Sequence, residues 1–253
     1  MNNEYILSLI QQDKRVDERK FDEYRKIIIE TNVSKNAEGS ARCKIGDTEV
    51  IVGVKMNVGE PYPDSPDEGT IIVTAELSPI ASPLFELGPP GSQATELARI
   101  VDRGIRESKA IDFKKLCVKE GEKIWMVFID IYPLNDDGNL IDASVLATLT
   151  ALKHAKFPKI ENDKVLFGEC SDKKLPLNKT PVTFTFGKIG DKILLDLNSK
   201  EESVIDSRLS VSVFEGNIHA MQKGGDKAIS PEDVEKMVDI AIKKEKELRS
   251  MIK

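Results

Sequence analysis

Histidine, cysteine and tryptophan are scarce in this chain, at two, three and one among 253 residues. His154 and His219 fit neither a metal-ligand spacing nor a triad pattern, so histidine-based catalysis and histidine-held metals drop out. Cys43, Cys117 and Cys170 are odd in number and far apart. That excludes a disulfide framework and a zinc knuckle, and it predicts reduced thiols in a cytoplasm. The longest apolar runs, 71–75 and 124–131, are short or interrupted, which excludes a membrane-spanning helix. The opening MNNEYILSLIQQDKR lacks the basic start and long apolar centre of a signal peptide, and it predicts a short helix or arm over 1–15. An excess of positive charge is also missing: the formal net charge is −6. Non-specific binding of nucleic acid over the whole surface is therefore excluded. Any contact with RNA must be local, or shared with a more basic partner. The segment GPPGSQ lacks the Gly-Lys-Ser/Thr of a phosphate-cradling loop.

What the chain does have is one strongly patterned stretch, ELARIVDRGIRESKAID, over 96–112. Leu97, Ile100, Val101, Gly104 and Ile105 recur at helical spacing and predict an apolar stripe. Arg99, Arg103 and Arg106 fall together on the opposite side. Guanidinium is always charged, planar and weakly hydrated, so three along one edge suit a polyanion such as an RNA backbone. The alternative is an exposed face whose arginines pair with Glu96, Asp102 and Glu107.

Around this helix the pattern alternates between strands and helices. Strands are predicted over 26–32, 41–45, 48–57 and 70–77, with a Gly46-Asp47 turn and a proline-rich loop over 59–69. A short strand over 116–118 and a long one over 123–134 follow the arginine helix. The second is apolar from Ile124 to Phe128, which predicts a central strand covered on both faces. Trp125 and Tyr132 could stack on bases, although aromatic side chains in a central apolar strand are more often core. The turn DDGN follows. Asp136 and Asp137 could bind a cation there, although bonding to the local backbone is the commoner use of such side chains. Asp142 is read as the cap of a buried helix without charges from Ala143 to Leu152.

The stretch 157–177 is lysine- and acid-rich and predicts an irregular connector. Four more strands are predicted over 181–187, 192–197, 209–215 and 217–223. A final helix runs from Pro231 to about Met251, capped by Ser230, with Val234, Met237, Val238, Ala241 and Leu248 inward. The organisation is an arm over 1–15, a first half over 16–156, a connector over 157–180 and a second half over 181–253. Hairpins followed by a helix at both ends suggest an α+β fold of two related halves.

EGSARCKIGDTEVIVGVK, PDEGTIIVTAELSPIASPLFELGPP, ELARIVDRGIRESKAID and VFIDIYPLNDDGNLIDAS, in this order, resemble the RNase PH family. Within it the chain is most similar to the non-catalytic RNase PH-like subunits of archaeal exosomes. The resemblance spans roughly 13–253. It implies an α+β RNase PH-like fold (ribosomal protein S5 domain 2-like) and a hetero-hexameric ring, three of each, alternating with a catalytic RNase PH-like paralogue. It also implies RNA-binding cap proteins, single-stranded RNA as substrate, no cofactor, metal or membrane, and a cytoplasmic setting. The reaction of such rings is phosphorolysis, in which inorganic phosphate attacks the 3′ end of RNA and releases nucleoside diphosphates.

Gathering phosphate and a phosphodiester at one point requires cations, and an acid for a metal or a proton. Catalytic members carry an Arg-Arg pair where Ser92 and Gln93 stand here, and an arginine where Ile141 stands. At the key acid falls Ser207 or Asp206, depending on alignment. The resemblance thus implies a subunit without catalytic residues, with Arg99, Arg103 and Arg106 along the RNA path beside the partner's active site. Two rivals remain: a self-sufficient phosphorolytic exoribonuclease in a homo-hexamer, with Asp206 as its acid, and a structural subunit that does not touch RNA.

Overall fold

The structure, a computed structural model, describes residues 3–161 and 164–252. Residues 1, 2, 162, 163 and 253, which belong to the expected arm, connector and second half, lie outside that description. The arm is a docked helix, α1 (Asn3–Gln11). Its Ile6 and Ile10 pack against Ile189, Leu194 and Leu197 of the second half. Just beyond it, buried Arg15 forks onto Glu201, with Nη2 2.5 Å from Oε2. Breaking a pair so enclosed would leave a buried charge uncompensated.

Alternating apolar residues then build β1 (Ile27–Thr31), β2 (Gly39–Ile45) and β3 (Thr48–Gly59). β4 (Thr70–Ala75), α2 (Ser92–Glu107), β5 (Cys117–Lys119) and β6 (Lys123–Asn135) follow. One six-stranded sheet results, ordered β1-β2-β3-β6-β4, with β5 on β6. All its pairings are antiparallel except β4 with β6. β6 is interior to the sheet, but the expectation that both its faces are covered fails. Trp125, Val127, Ile129 and Ile131 are buried while Tyr132 is exposed, because the helices cover only one face.

α3 (Leu140–His154) fills the space between this sheet and a second one. It contacts β2, β3, α2 and β9 (Val182–Ile189), and every residue from Ile141 to Leu152 is buried. Alanine, serine and threonine at 143, 144, 147, 148 and 151 let its backbone come close to its neighbours. A Cβ on Gly39 would lie 2.3 Å from the Ala151 carbonyl oxygen, so only glycine fits there. Asp142 is not the cap of this helix. Asn139 occupies that position in the left-handed region, at φ 58°, and Asp142 lies inside the first turn.

The stretch expected as an irregular connector holds a two-stranded hairpin, β7 (Lys156–Glu161) with β8 (Lys164–Lys174). Two register shifts interrupt the pairing, and three residues at the end of β7 are exposed. Those features erase the apolar alternation from which a strand is read. After it β9, β10 (Lys192–Leu195), the short α4 (Ser199–Glu202), β11 (Ser207–Phe214) and β12 (Asn217–Gly224) form the second half. Their antiparallel sheet is ordered β10-β9-β11-β12. α5 (Pro231–Ser250) closes it, with Met237, Ala241 and Leu248 buried and Val234 and Val238 packed at the margin. The Ser230 hydroxyl accepts from the Asp233 amide, as a helix cap does. One apolar core runs through both halves.

Candidate nucleic-acid interface

α2 begins at Ser92, where Gly91 in extended conformation follows two prolines, and not at 96. It stops at Glu107 because Lys109 turns into the left-handed region at φ 53°. Its buried face is Ala94, Leu97, Ala98, Ile100, Val101, Gly104 and Ile105, so the periodicity located the core side correctly. Gly104 passes close to β11: a Cβ there would stand 3.3 Å from the Ser212 hydroxyl.

Arg99, Arg103 and Arg106 are all exposed on the outer side of α2. Their surroundings differ. Arg106 donates from Nε to both Asp102 carboxylate oxygens at 3.0 and 2.9 Å, and from Nη2 to the Ile71 carbonyl at 2.7 Å. Its guanidinium also lies 5.8 Å from the Phe113 ring centre. Among the described residues Arg103 makes one hydrogen bond, from Nη1 to the Gln222 side-chain oxygen at 3.2 Å. Arg99 makes no hydrogen bond or ion pair among the described residues, and it borders a shallow groove with Val73, Thr74 and Pro90. Of the intrahelical pairings weighed above, only Asp102 with Arg106 forms among the described residues. Glu96 reaches instead across to Arg208 of β11, 2.5 Å away.

Beside α2 lies a cleft of about 120 Å³. Gln93, Glu96 and Leu97 form one wall, and Asp136, Asn139 and Ile141 another. Thr185, Glu202 and Arg208 also line it, together with apolar Leu77, Phe85 and Leu140. Gln93 and Ile141, two of the positions where catalytic members of the resembling family carry arginine, therefore do meet in one place. Ser92 and Asp206 are not among the lining residues. Asp206 is engaged elsewhere, with Lys227 Nζ at 2.6 Å and the Gly190 amide at 2.8 Å, and those partners hold its carboxyl below the usual range. The neighbouring Ser207 is buried.

The cleft is acidic. Arg208 is its only basic lining residue among those described, against Glu96, Asp136 and Glu202. Glu202 accepts from the Asn139 amide at 2.8 Å, and burial together with nearby Asp136 pushes its pKa up to about 7. Burial and the charge of Asp137 raise Asp136 as well, although it accepts from the Gly138 amide at 3.0 Å. That contact is the local backbone bonding expected of the turn. Gly138 permits it at φ +80°; a side chain here would meet the Leu197 carbonyl at 2.6 Å. Glu202, Asn139 and Arg208 escaped sequence reasoning, because residues far apart in the chain meet only through the packing of the two halves.

Deeper in, Asp142 ties α3 to the second sheet. It accepts from Tyr24 Oη at 2.7 Å, Thr185 Oγ1 at 2.7 Å and Asn139 Nδ2 at 3.1 Å. Burial still pushes its carboxyl up to about 6. Trp125 is core, 5.2 Å from the Phe157 ring. Tyr132 is exposed and donates to Glu76. Among the described residues, no group of three or more histidine, cysteine or acidic side chains could hold a metal, and no helix is long and apolar enough to cross a membrane.

A duplicated sheet-and-helix fold, with its cleft between α2 and α3, defines the class. Residues 23–158 match domain 1 of the 3′ exoribonuclease family and residues 179–244 match domain 2, so the chain belongs to that family. It is 50% identical over 253 residues to the exosome complex component Rrp42 of Methanocella arvoryzae, covering all of this chain and 95% of that one. It superposes with TM-score 0.94 and 48% identity on a chain of the Archaeoglobus fulgidus exosome with RNA bound to the active site, covering 99% of this chain and 97% of that one. A chain of an archaeal exosome core gives 0.89 and 44%, covering 99% and 95%. The α+β RNase PH-like fold expected from the motifs is thus the observed one.

Proposed function

We propose that this chain is the non-catalytic RNase PH-like subunit of an archaeal exosome. It holds a catalytic paralogue in a hexameric ring, three of each, and lends Arg99, Arg103 and Arg106 to the single-stranded RNA entering that neighbour's active site. RNA-binding cap proteins complete the assembly, and the setting is cytoplasmic. The observation that carries this reading is the sign of the cleft. Phosphorolysis needs a place where two anions meet cations. Here three carboxylates line the cleft, and Arg208, its one basic lining residue among those described, is paired through Nη2 with Glu96. Such a lining gives an attacking phosphate little to hold it.

The self-sufficient alternative finds little support, since its acid, Asp206, is held by Lys227 outside the cleft lining. An RNA-gripping role is supported by three exposed guanidinium groups on one rigid helix, one of them unpaired among the described residues. A docking role is supported by the loop before α2, where Ile80, Leu84 and Leu87 are 75%, 86% and 83% exposed. Neighbouring apolar side chains so bare are characteristic of contact surfaces.

The test is phosphate-dependent release of nucleoside diphosphates from RNA. The pure chain is expected to release none, and the chain mixed with its paralogue to release them. Release by the pure chain at the rate of the mixture overturns the proposal.

A further inference from the structure

The three arginines of α2 differ in what holds them, and Arg103 is held without a countercharge. Arg106 is tied to the Asp102 carboxylate, so part of its charge is answered within the helix. Arg99 is exposed and unpaired among the described residues, so whatever it binds must also order it. Arg103 reaches across to β12 and donates from Nη1 to Gln222 Oε1 at 3.2 Å. A neutral amide takes one N–H donor of the guanidinium and leaves it the others and the whole charge.

Local packing builds this reach. Gly104, next to Arg103, carries no side chain, and an added Cβ would stand 3.3 Å from the Ser212 hydroxyl of β11. α2 therefore lies close over the second sheet and touches β12, its edge strand. Ala220 and Gln222 share one side of β12, opposite Ser212 and Ser210 of β11. Alanine and serine are short, whereas Gln222 is long enough to meet a guanidinium arriving from the helix. All four line one shallow crevice with Ile100 and Arg103. Gln222 is itself oriented: Nε2 donates to the Lys223 carbonyl at 3.3 Å, which assigns Oε1 to Arg103.

We propose that Gln222 is a positioning residue, which holds the Arg103 guanidinium over the edge of β12 ready for an RNA phosphate. This role rests on the RNA-gripping reading above and extends it onto the second sheet. Ordering a long, rotamer-rich side chain before the ligand arrives removes a cost otherwise met on binding. A carboxylate at the same place would order Arg103 as well, but it would cancel the charge that a phosphate needs. An amide does the first without the second.

The test is a double-mutant cycle on the affinity of the assembled ring for a single-stranded oligoadenylate, in phosphate-free buffer over a range of salt. Arg103→Ala should weaken binding and flatten the slope of log affinity against log salt by roughly 0.7, the loss of one phosphate contact. Gln222→Ala should weaken binding about threefold to tenfold, the worth of one pre-ordered side chain, and leave the slope unchanged because the charge remains. In the Arg103→Ala background it should have no further effect. Gln222→Glu, which keeps the length and the tether, should flatten the slope as Arg103→Ala does. Silence of Gln222→Ala beside a clear effect of Arg103→Ala overturns the positioning role and spares the grip. An equal loss with and without Arg103, or an unaltered slope for Gln222→Glu, overturns it too. Silence of Arg103→Ala overturns the role of Arg103 in the grip, and with it that of Gln222.

Discussion

Asp206 shows how a side chain's neighbours set its use. Alignment alone leaves it a candidate acid, yet Lys227 and the Gly190 amide occupy its two oxygens on the rim of the second sheet. Asp206→Asn should leave the phosphorolytic rate of the assembled mixture within about twofold and cost under about 1 kcal/mol, the usual worth of such a surface pair. A collapse of the rate would reinstate it as the acid. Asp142 makes the complementary point. Its place ahead of an apolar run reads as a cap, but three side chains and the Thr185 amide converge on it in the interior. Partners from residues 24 and 185 cannot be read from local pattern. Arg99, Arg103 and Arg106 could be read, since helical spacing alone puts them on one exposed side. Which of them is already tethered could not, because the Ile71 carbonyl and Gln222 belong to other elements.

At the scale of elements, α2 and α3 were legible and β8 was not. The helices carry strong signals, an apolar stripe in one and an uninterrupted apolar and small-residue run in the other. The hairpin of β7 and β8 carries charge on its open side and breaks register twice, so its sequence imitates a loop. The ends of α2 depended on backbone geometry at Gly91 and Lys109, where neither side chain announces a terminus. The packing of α3 makes its own prediction. β2 enters against this helix at Gly39, where an added methyl would strike the Ala151 carbonyl. Gly39→Ala should lower unfolding free energy by about 1–3 kcal/mol, the range for overpacked sites. Urea denaturation measures it, and an unchanged midpoint would mean that the contact is looser than the structure gives.

For the molecule as a whole, the order of four motifs pointed to the fold, and hairpins followed by a helix at both ends pointed to the likeness between halves. The cleft beside α2 is formed where those halves meet. Its lining is drawn from residues scattered over more than a hundred positions, from Gln93 to Arg208. The same architecture therefore serves two ends. On the proposed reading one face of α2 offers guanidinium to a polyanion, while a few residues away the cleft is lined by Glu96, Asp136 and Glu202. With a net charge of −6, any RNA contact falls to a local cluster such as the three arginines of that edge.

Equilibrium affinity of the assembled ring for single-stranded RNA tests the division of labour most directly. The variant to use is Arg99→Glu with Arg103→Glu, because Arg106 also supports β4 through the Ile71 carbonyl and its loss would confuse grip with folding. Affinity should fall at least about tenfold at low salt, and the slope of log affinity against log salt should flatten by roughly 0.7 for each lost phosphate contact. Unchanged affinity and slope in a properly assembled ring would contradict the account and leave the chain a scaffold that does not touch RNA.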